Sequence, residues 1–176
     1  FRGDPRAQET CVTVTLMQFF AQLNYITGDS RYIDALERSL YNGYLGAINT
    51  DDATDSAAAV LWPDFKMVPK PFDSYSPLTP GIRGNGIGGF GDLGNGDYYG
   101  CCICIGPAGI GVAMKTAALI TEKGLVLNLF EKGKITETLA NGKTVTLTLD
   151  TAYPVCGKVK ITVDTDCDEA FELLIR

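Results

Sequence analysis

Three thiols in four residues, Cys101, Cys102 and Cys104, and a carboxylate–thiol pair, Glu9 and Cys11, are the groups of this chain best suited to chemistry. Thiolate sulfur and carboxylate oxygen both serve in tetrahedral zinc sites. Glu9, Cys11, Cys101 and Cys102 supply four such donors from two element ends, with Cys104 to spare. Adjacent ligating cysteines are unusual, and the pattern is not the Cys-X-X-Cys of a zinc ribbon. Spacing alone therefore leaves several readings open. The cluster is a closed zinc site, or a thiolate kept ionised by a metal or a helix N-terminus and ready to attack carbon. Buried structural thiols are the bland alternative. A redox pair of Cys101 and Cys104 has the Cys-X-X-Cys spacing but lacks the βαβ context such motifs keep.

Composition narrows the field. Histidine is absent, which removes a His base, His metal ligands and a Ser-His-Asp triad. A net charge of −6 and a pI near 4.6 argue against a nucleic-acid surface, which needs clustered Lys and Arg. Hydrophobic residues at 45% and charged residues at 20% mark a globular chain and exclude global disorder. No apolar run approaches the roughly 20 residues that span a bilayer, so no membrane partner is expected. The 6 cysteines are too few and too unevenly placed for a disulfide scaffold. Reduced thiols favour a cytoplasmic location. The chain opens on Phe1 with nothing like a signal peptide, and reads as an excised or processed piece whose address lies upstream.

The elements that must position these groups come next. Apolar residues at helical spacing (Val14, Met17, Phe20, Ala21) predict a helix over Thr10–Thr27, with a strand competing in the β-branched front half, Val12 to Thr15. Gly28 supplies a left-handed cap, and Asp29 or Ser30 starts a second helix over Arg31–Ala47. That helix turns Ile33, Leu36, Leu40, Tyr41 and Tyr44 toward a core, and the two helices form an αα-hairpin. From residue 50 to 100 prolines and glycines dissolve the pattern, as in a long active-site loop; Ala57 to Trp62 is a candidate short element. A nucleotide cradle is not expected there, because neither glycine fingerprint is present. A third helix is expected from Pro107, a good first-turn residue, to about Glu122, with small residues permitting close helix approach.

After Lys123-Gly124 the period changes to two. Leu125, Leu127 and Leu129, then Val145, Leu147 and Leu149, then Val159, Ile161 and Val163, and finally Phe171, Leu173 and Ile175 alternate as strands do. Asn141-Gly142 marks a hairpin and Tyr153-Pro154 a bend. The fold class is therefore α then β, with a helical domain over 1–123 and an antiparallel β region over 124–176.

Glu9-Thr10-Cys11 opening a helix, the string Leu36-Glu37-Arg38-Ser39-Leu40-Tyr41-Asn42-Gly43, and the later Cys101-Cys102 pair together resemble a known family. It is the β-L-arabinofuranosidase group, glycoside hydrolase family 127. The resemblance runs along the whole chain but matches only a late portion of such an enzyme. It implies part of an (α/α)6 barrel followed by a β-sandwich, and a Zn2+ held by Glu9, Cys11, Cys101 and Cys102. It also implies that Cys101 is the nucleophile of a retaining glycosidase, forming a glycosyl-thioether on an L-arabinofuranoside-like sugar. The acid/base carboxylate and the histidines of the family's sugar pocket fall upstream of residue 1. The family's Cys-Cys-Pro-Pro-Asn reads Cys101-Cys102-Ile103-Cys104-Ile105 here, so the sequence departs from the pattern just after the pair.

Tyr98, Tyr99 and Arg83 are the candidate sugar contacts, by stacking and by hydrogen bonding. Trp62 is a further stacking candidate, and Asp92 and Asp97 are replacement acids. Core anchoring or turn formation is the plainer role for each. The expected partner is a carbohydrate, together with self-association or a missing N-terminal segment, because a partial barrel exposes apolar helix faces. A non-catalytic, zinc-stabilised or thiol-lined carbohydrate-binding or interaction module is the alternative from a different functional class.

Overall fold

The computed structural model describes residues 7–48, 75–77, 91–92, 98–99 and 101–176. The chain divides between Val112 and Ala113 into two units, a division ahead of the expected boundary near residue 123.

In the first unit, strand β1 (Ala7–Glu9) pairs antiparallel with β2 (Tyr75–Pro77), setting Glu9 opposite Tyr75. Helix α1 follows at once over Thr10–Thr27, with the bounds the sequence predicts. Its β-branched front half is helical, not extended. Thr13 and Thr15 satisfy their hydroxyls within the helix, donating to the carbonyls of Glu9 at 3.0 Å and Cys11 at 2.8 Å. Thr10, Thr13, Val14, Met17, Ala21 and Asn24 are buried along one face. Burying that face outweighs the propensity deficit of Val and Thr, which is about 0.5 kcal/mol per residue.

Gly28 ends α1 with φ +68° and its N–H on the Asn24 carbonyl at 2.8 Å, the left-handed cap that glycine adopts without a Cβ penalty. Asp29 then receives the Arg31 N–H at 2.9 Å and pairs with the Arg31 guanidinium at 2.6 Å. This hydrogen-bonded pairing holds the Asp29 carboxyl below its ordinary value.

Helix α2 (Arg31–Arg38) widens into a π turn (Ser39–Tyr44) and closes as a 3-10 turn (Leu45–Ala47). The expected extent to Ala47 holds, but the helix is not uniform. Ile33, Leu36, Leu40 and Tyr44 are buried and Tyr41 is half-buried.

Helix α3 (Cys101–Thr116) corrects the expected start at Pro107 and end near Glu122. Pro107 lies inside the helix, where its missing N–H normally breaks the ladder. Tyr44 packs against this stretch. Its hydroxyl donates to the Gly106 carbonyl at 2.6 Å, and its ring lies against Gly109, where any Cβ would overlap ring carbons. The small residues read as permitting close approach thus admit an aromatic ring. Ahead of α3, β3 (Gly91–Asp92) pairs antiparallel with β4 (Tyr98–Tyr99). The candidate short element at Ala57 to Trp62 lies outside the described residues.

The second unit holds β5 (Ala118–Thr121), β6 (Gly124–Leu127), β7 (Gly133–Thr138), β8 (Thr144–Thr151), β9 (Val159–Thr165) and β10 (Glu172–Ile175). Residues expected at the end of the third helix instead form β5, which turns through Glu122-Lys123 and pairs antiparallel with β6. Two three-stranded sheets result, ordered β10-β6-β5 and β7-β8-β9. The period-two reading places the core well: Leu125, Leu127, Val145, Leu147 and Leu149 are buried in one cluster with Leu139.

One pairing departs from the antiparallel expectation, since β10 runs parallel to β6. A strand that returns after an entire intervening sheet is free to take either direction, whereas a tight hairpin enforces the antiparallel one. Gly142, at φ +80°, serves the Asn141-Gly142 hairpin.

The Tyr44 contact makes two expectations about stability. Gly109→Ala should destabilise the protein by about 1–3 kcal/mol through overpacking, whereas Gly111→Ala, with nothing within 4 Å of the new Cβ, should stabilise it by about 0.5–1 kcal/mol. Urea midpoints of the two variants that moved together would remove the packing argument. Burial pushes the Tyr44 phenol above its ordinary value of 10.0, opposed in part by a hydrogen bond with the Ile110 backbone. The neutral phenol is thus favoured in the folded state. Its contribution is fully present below pH 10 and is lost as pH rises through the folded value. The alkaline loss of stability should be smaller in Tyr44→Phe, measured by urea denaturation on either side of pH 10.

Candidate metal centre

Glu9 is the N-cap of α1, with extended backbone (φ −100°, ψ 132°) and no side-chain capping hydrogen bond. Its carboxylate is therefore not committed to closing the helix end. Cys11 is the second residue of α1, and Cys102 is the second residue of α3. Two helix N-termini thus present donors from equivalent positions. Their unsatisfied N–H groups carry partial positive charge, which favours a donor set with net negative charge.

The structure brings three of the four expected ligands together. The Sγ atoms of Cys11 and Cys102 lie 3.0 Å apart, and these atoms and a Glu9 carboxylate oxygen all lie within 4.8 Å of one another. Cys102 is 1% exposed, while Glu9 and Cys11 are half-buried. Among the described residues this is the one group of three or more such side chains with metal-binding spacing.

One carboxylate oxygen and two thiol sulfurs, partly withdrawn from water, match the hard-to-soft range that zinc accepts. Two sulfurs on one tetrahedral zinc stand about 3.7 Å apart, given zinc–sulfur bonds near 2.3 Å. The observed pair would open by less than 1 Å to take the ion. The donor set therefore fits.

The fourth expected ligand, Cys101, begins α3 beside Cys102, and its side chain lies outside the described residues. Cys104 is exposed one half-turn further on. Tyr98 and Tyr99 form β4, with Asp92 opposite Tyr98 across the β3–β4 ladder; their side chains, and all of Arg83, Trp62 and Asp97, lie outside the described residues. Cys156 and Cys167 belong to the second unit, where Cys167 Sγ meets the Glu169 carbonyl at 3.3 Å. They take no part in the cluster.

Sequence reasoning missed the group that places Cys102. It read Tyr44 as core only, yet the Tyr44 hydroxyl fixes the Gly106 carbonyl, one turn beyond Cys102. The available signal was a phenol on an apolar helix face, since a buried hydroxyl needs a partner.

Residues 3–58 match the family model described as β-L-arabinofuranosidase, GH127 catalytic domain. A search of the curated proteins finds no match. Among solved structures, the chain is similar to Ara127N-Se, a GH127 β-L-arabinofuranosidase from Geobacillus stearothermophilus T6, with 21% identity and a TM-score of 0.63, over 96% of this chain and 24% of that one. It is similar also to a structure described as a glycoside hydrolase, with 20% identity and a TM-score of 0.63, over 96% of this chain and 25% of that one. At such identities the likeness establishes the fold, and the chain spans about a quarter of the length of these solved chains. Residues 3–58, which carry Glu9 and Cys11, are thus the part of the chain that is similar to the GH127 catalytic domain.

Proposed function

We propose that this chain carries the metal and nucleophile half of a retaining glycoside hydrolase acting on an L-arabinofuranoside-like sugar. The observation that carries this reading is the meeting of Glu9, Cys11 and Cys102 at the mouths of α1 and α3, within a chain whose first 58 residues include the family segment. Glu9, Cys11 and Cys102 would hold Zn2+, with Cys101 as the fourth ligand. When bound, the metal would keep its thiols ionised at neutral pH without a histidine, which suits a chain that has none.

In this reading Cys101 attacks the anomeric carbon. The glycosyl–oxygen bond breaks as the thioether forms, and water later displaces the sulfur with a second inversion, so configuration is retained. The proton for the leaving group comes from a carboxylate not assigned among the residues of this chain. Tyr98, Tyr99 and Arg83 are the proposed sugar contacts.

The helical unit is proposed to be part of an (α/α)6 barrel and the two sheets part of a β-sandwich. One feature of α1 supports a further helical layer. Opposite its buried face, Val12, Leu16, Phe19 and Ile26 are exposed, Ile26 at 79%, and the helix carries no Asp, Glu, Lys or Arg. A helix apolar on both sides is normally covered on both. Among the described residues no helix is long and apolar enough to cross a membrane.

The first test is metal content. Protein purified without chelator should contain about one zinc per chain, and Glu9→Ala, Cys11→Ser and Cys102→Ser should each weaken binding at least tenfold, as expected when a ligand is lost. An absence of zinc, with Cys11 and Cys102 freely alkylated, would leave only a shared fold. The second is turnover. An aryl β-L-arabinofuranoside should be hydrolysed with retention, followed by NMR, by the chain or by a longer product of its reading frame. Cys101→Ser should lower kcat by roughly a thousandfold or more. Zinc binding without turnover in either form would favour the non-catalytic zinc-stabilised module.

A further inference from the structure

We propose that Cys11 and Cys102 form a reversible disulfide whose formation excludes the metal, making this centre a redox-gated site. The inference uses the donors of the metal reading but not its hydrolytic chemistry.

The geometry points to it. The two sulfurs stand 3.0 Å apart, between the separation of about 2.0 Å in a disulfide and about 3.7 Å on a tetrahedral zinc. A movement of about 1 Å closes the bond, and a smaller one opens the metal site. Each cysteine sits in the first turn of its helix, where the chain entering the helix is not yet locked by the intrahelical ladder on its N-terminal side.

The two states exclude each other by donor count. A disulfide uses both thiols, leaving Glu9 as the one donor of the described cluster. With Cys101 counted as the proposed fourth ligand two donors would remain, fewer than the three that even an open zinc site keeps.

The reaction balances with hydrogen peroxide as the oxidant. Cys11 is the more accessible of the pair, half-buried where Cys102 is buried, and so it reacts first. Its sulfur attacks one peroxide oxygen, the S–O bond forms, the O–O bond breaks, and the departing hydroxide takes the thiol proton to leave as water. The Cys102 sulfur then attacks the sulfenic sulfur of Cys11. The S–S bond forms, the S–O bond breaks, and a second water leaves with the Cys102 proton. Two sulfurs are oxidised by one electron each, and two peroxide oxygens are reduced to water. A dithiol reductant reverses the change by thiol–disulfide exchange.

The test is stoichiometric hydrogen peroxide on protein first stripped of metal and reduced, followed by intact mass and non-reducing peptide mapping. The expected result is loss of two hydrogens, a cross-linked peptide pair containing Cys11 and Cys102, and full reversal by dithiothreitol. Cys104→Ser should still form the bond, and Cys11→Ser, checked for folding by circular dichroism, should not. In zinc-loaded protein a chromophoric chelator should report one zinc released per bond formed. Recovery of Cys11 and Cys102 as separate sulfinic acids, or a bond from either to Cys101 or Cys104, would overturn the proposal. So would release of no zinc as the Cys11–Cys102 bond forms. A Cys11–Cys102 bond in a protein that never binds zinc would sink the metal-exclusion clause and the zinc reading together. Zinc binding with no such bond would sink this inference alone and leave the zinc reading standing.

Discussion

Among the described residues, the contact of Tyr44 with α3 is central to the site. Helices α1 and α2 are joined by three residues and would meet in almost any fold. Cys102, in contrast, is 91 residues from Cys11, and bringing such distant ends together carries a loop-closure cost that grows with the logarithm of the separation. The Tyr44 ring, fully buried, fits where Gly109 has no side chain. Its hydroxyl meets the Gly106 carbonyl, a group in the second turn of α3. A ring that needs a flat apolar wall and a hydroxyl that needs an acceptor fix both the approach and the register of the helix. Cys102 lies one turn before that acceptor and inherits its position.

The π turn is what aims Tyr44. Had α2 stayed an ideal helix, every residue after Arg38 would sit about 100° per step around the axis. The wider turn over Ser39–Tyr44 changes that phase before the chain tightens again at Leu45. Side-chain packing selects this, because a π turn is rare and has little intrinsic preference to recommend it. No residue in Ser39–Tyr44 announces it. The periodic reading therefore gave the extent of the helix correctly and missed its local form.

The same distinction separates the legible from the illegible elsewhere. Helix α1 could be read to its last residue because Gly28 is a local signal and acts locally. The core of the second unit could be read from the alternation of Val145, Leu147 and Leu149, since a strand's period is a property of its own backbone. The start of α3 could not. Pro107 is the best first-turn residue in the region, yet the helix begins six residues earlier, at Cys101. Likewise the parallel pairing of β10 with β6 is set by where the chain returns, not by any residue in Glu172–Ile175. For the site, Glu9, Cys11 and Cys102 were legible from residue type, because few side chains bind soft metals. Their meeting was implied by the family resemblance and not by spacing, since it joins distant segments through contacts such as Tyr44 against Gly109.

The chemistry of the centre turns on how many donors are engaged. Three clustered donors with one position open is the arrangement of catalytic zinc, whereas four protein ligands close a structural one. If Cys101 completed the set, the proposed nucleophile would itself be a ligand, and its attack on carbon would compete with its hold on the metal. The cluster of Glu9, Cys11 and Cys102 eases that conflict, since three donors remain when a fourth departs. The positive ends of two helices support the same outcome, because they favour anionic donors whether or not the fourth is bound. In the proposed reading, a centre built from both helix N-termini would therefore release one sulfur without dismantling itself. A centre built from the Cys101–Cys102 pair alone would have no such reserve, and in the proposed reading this is what Glu9 and Cys11 would add from the start of α1.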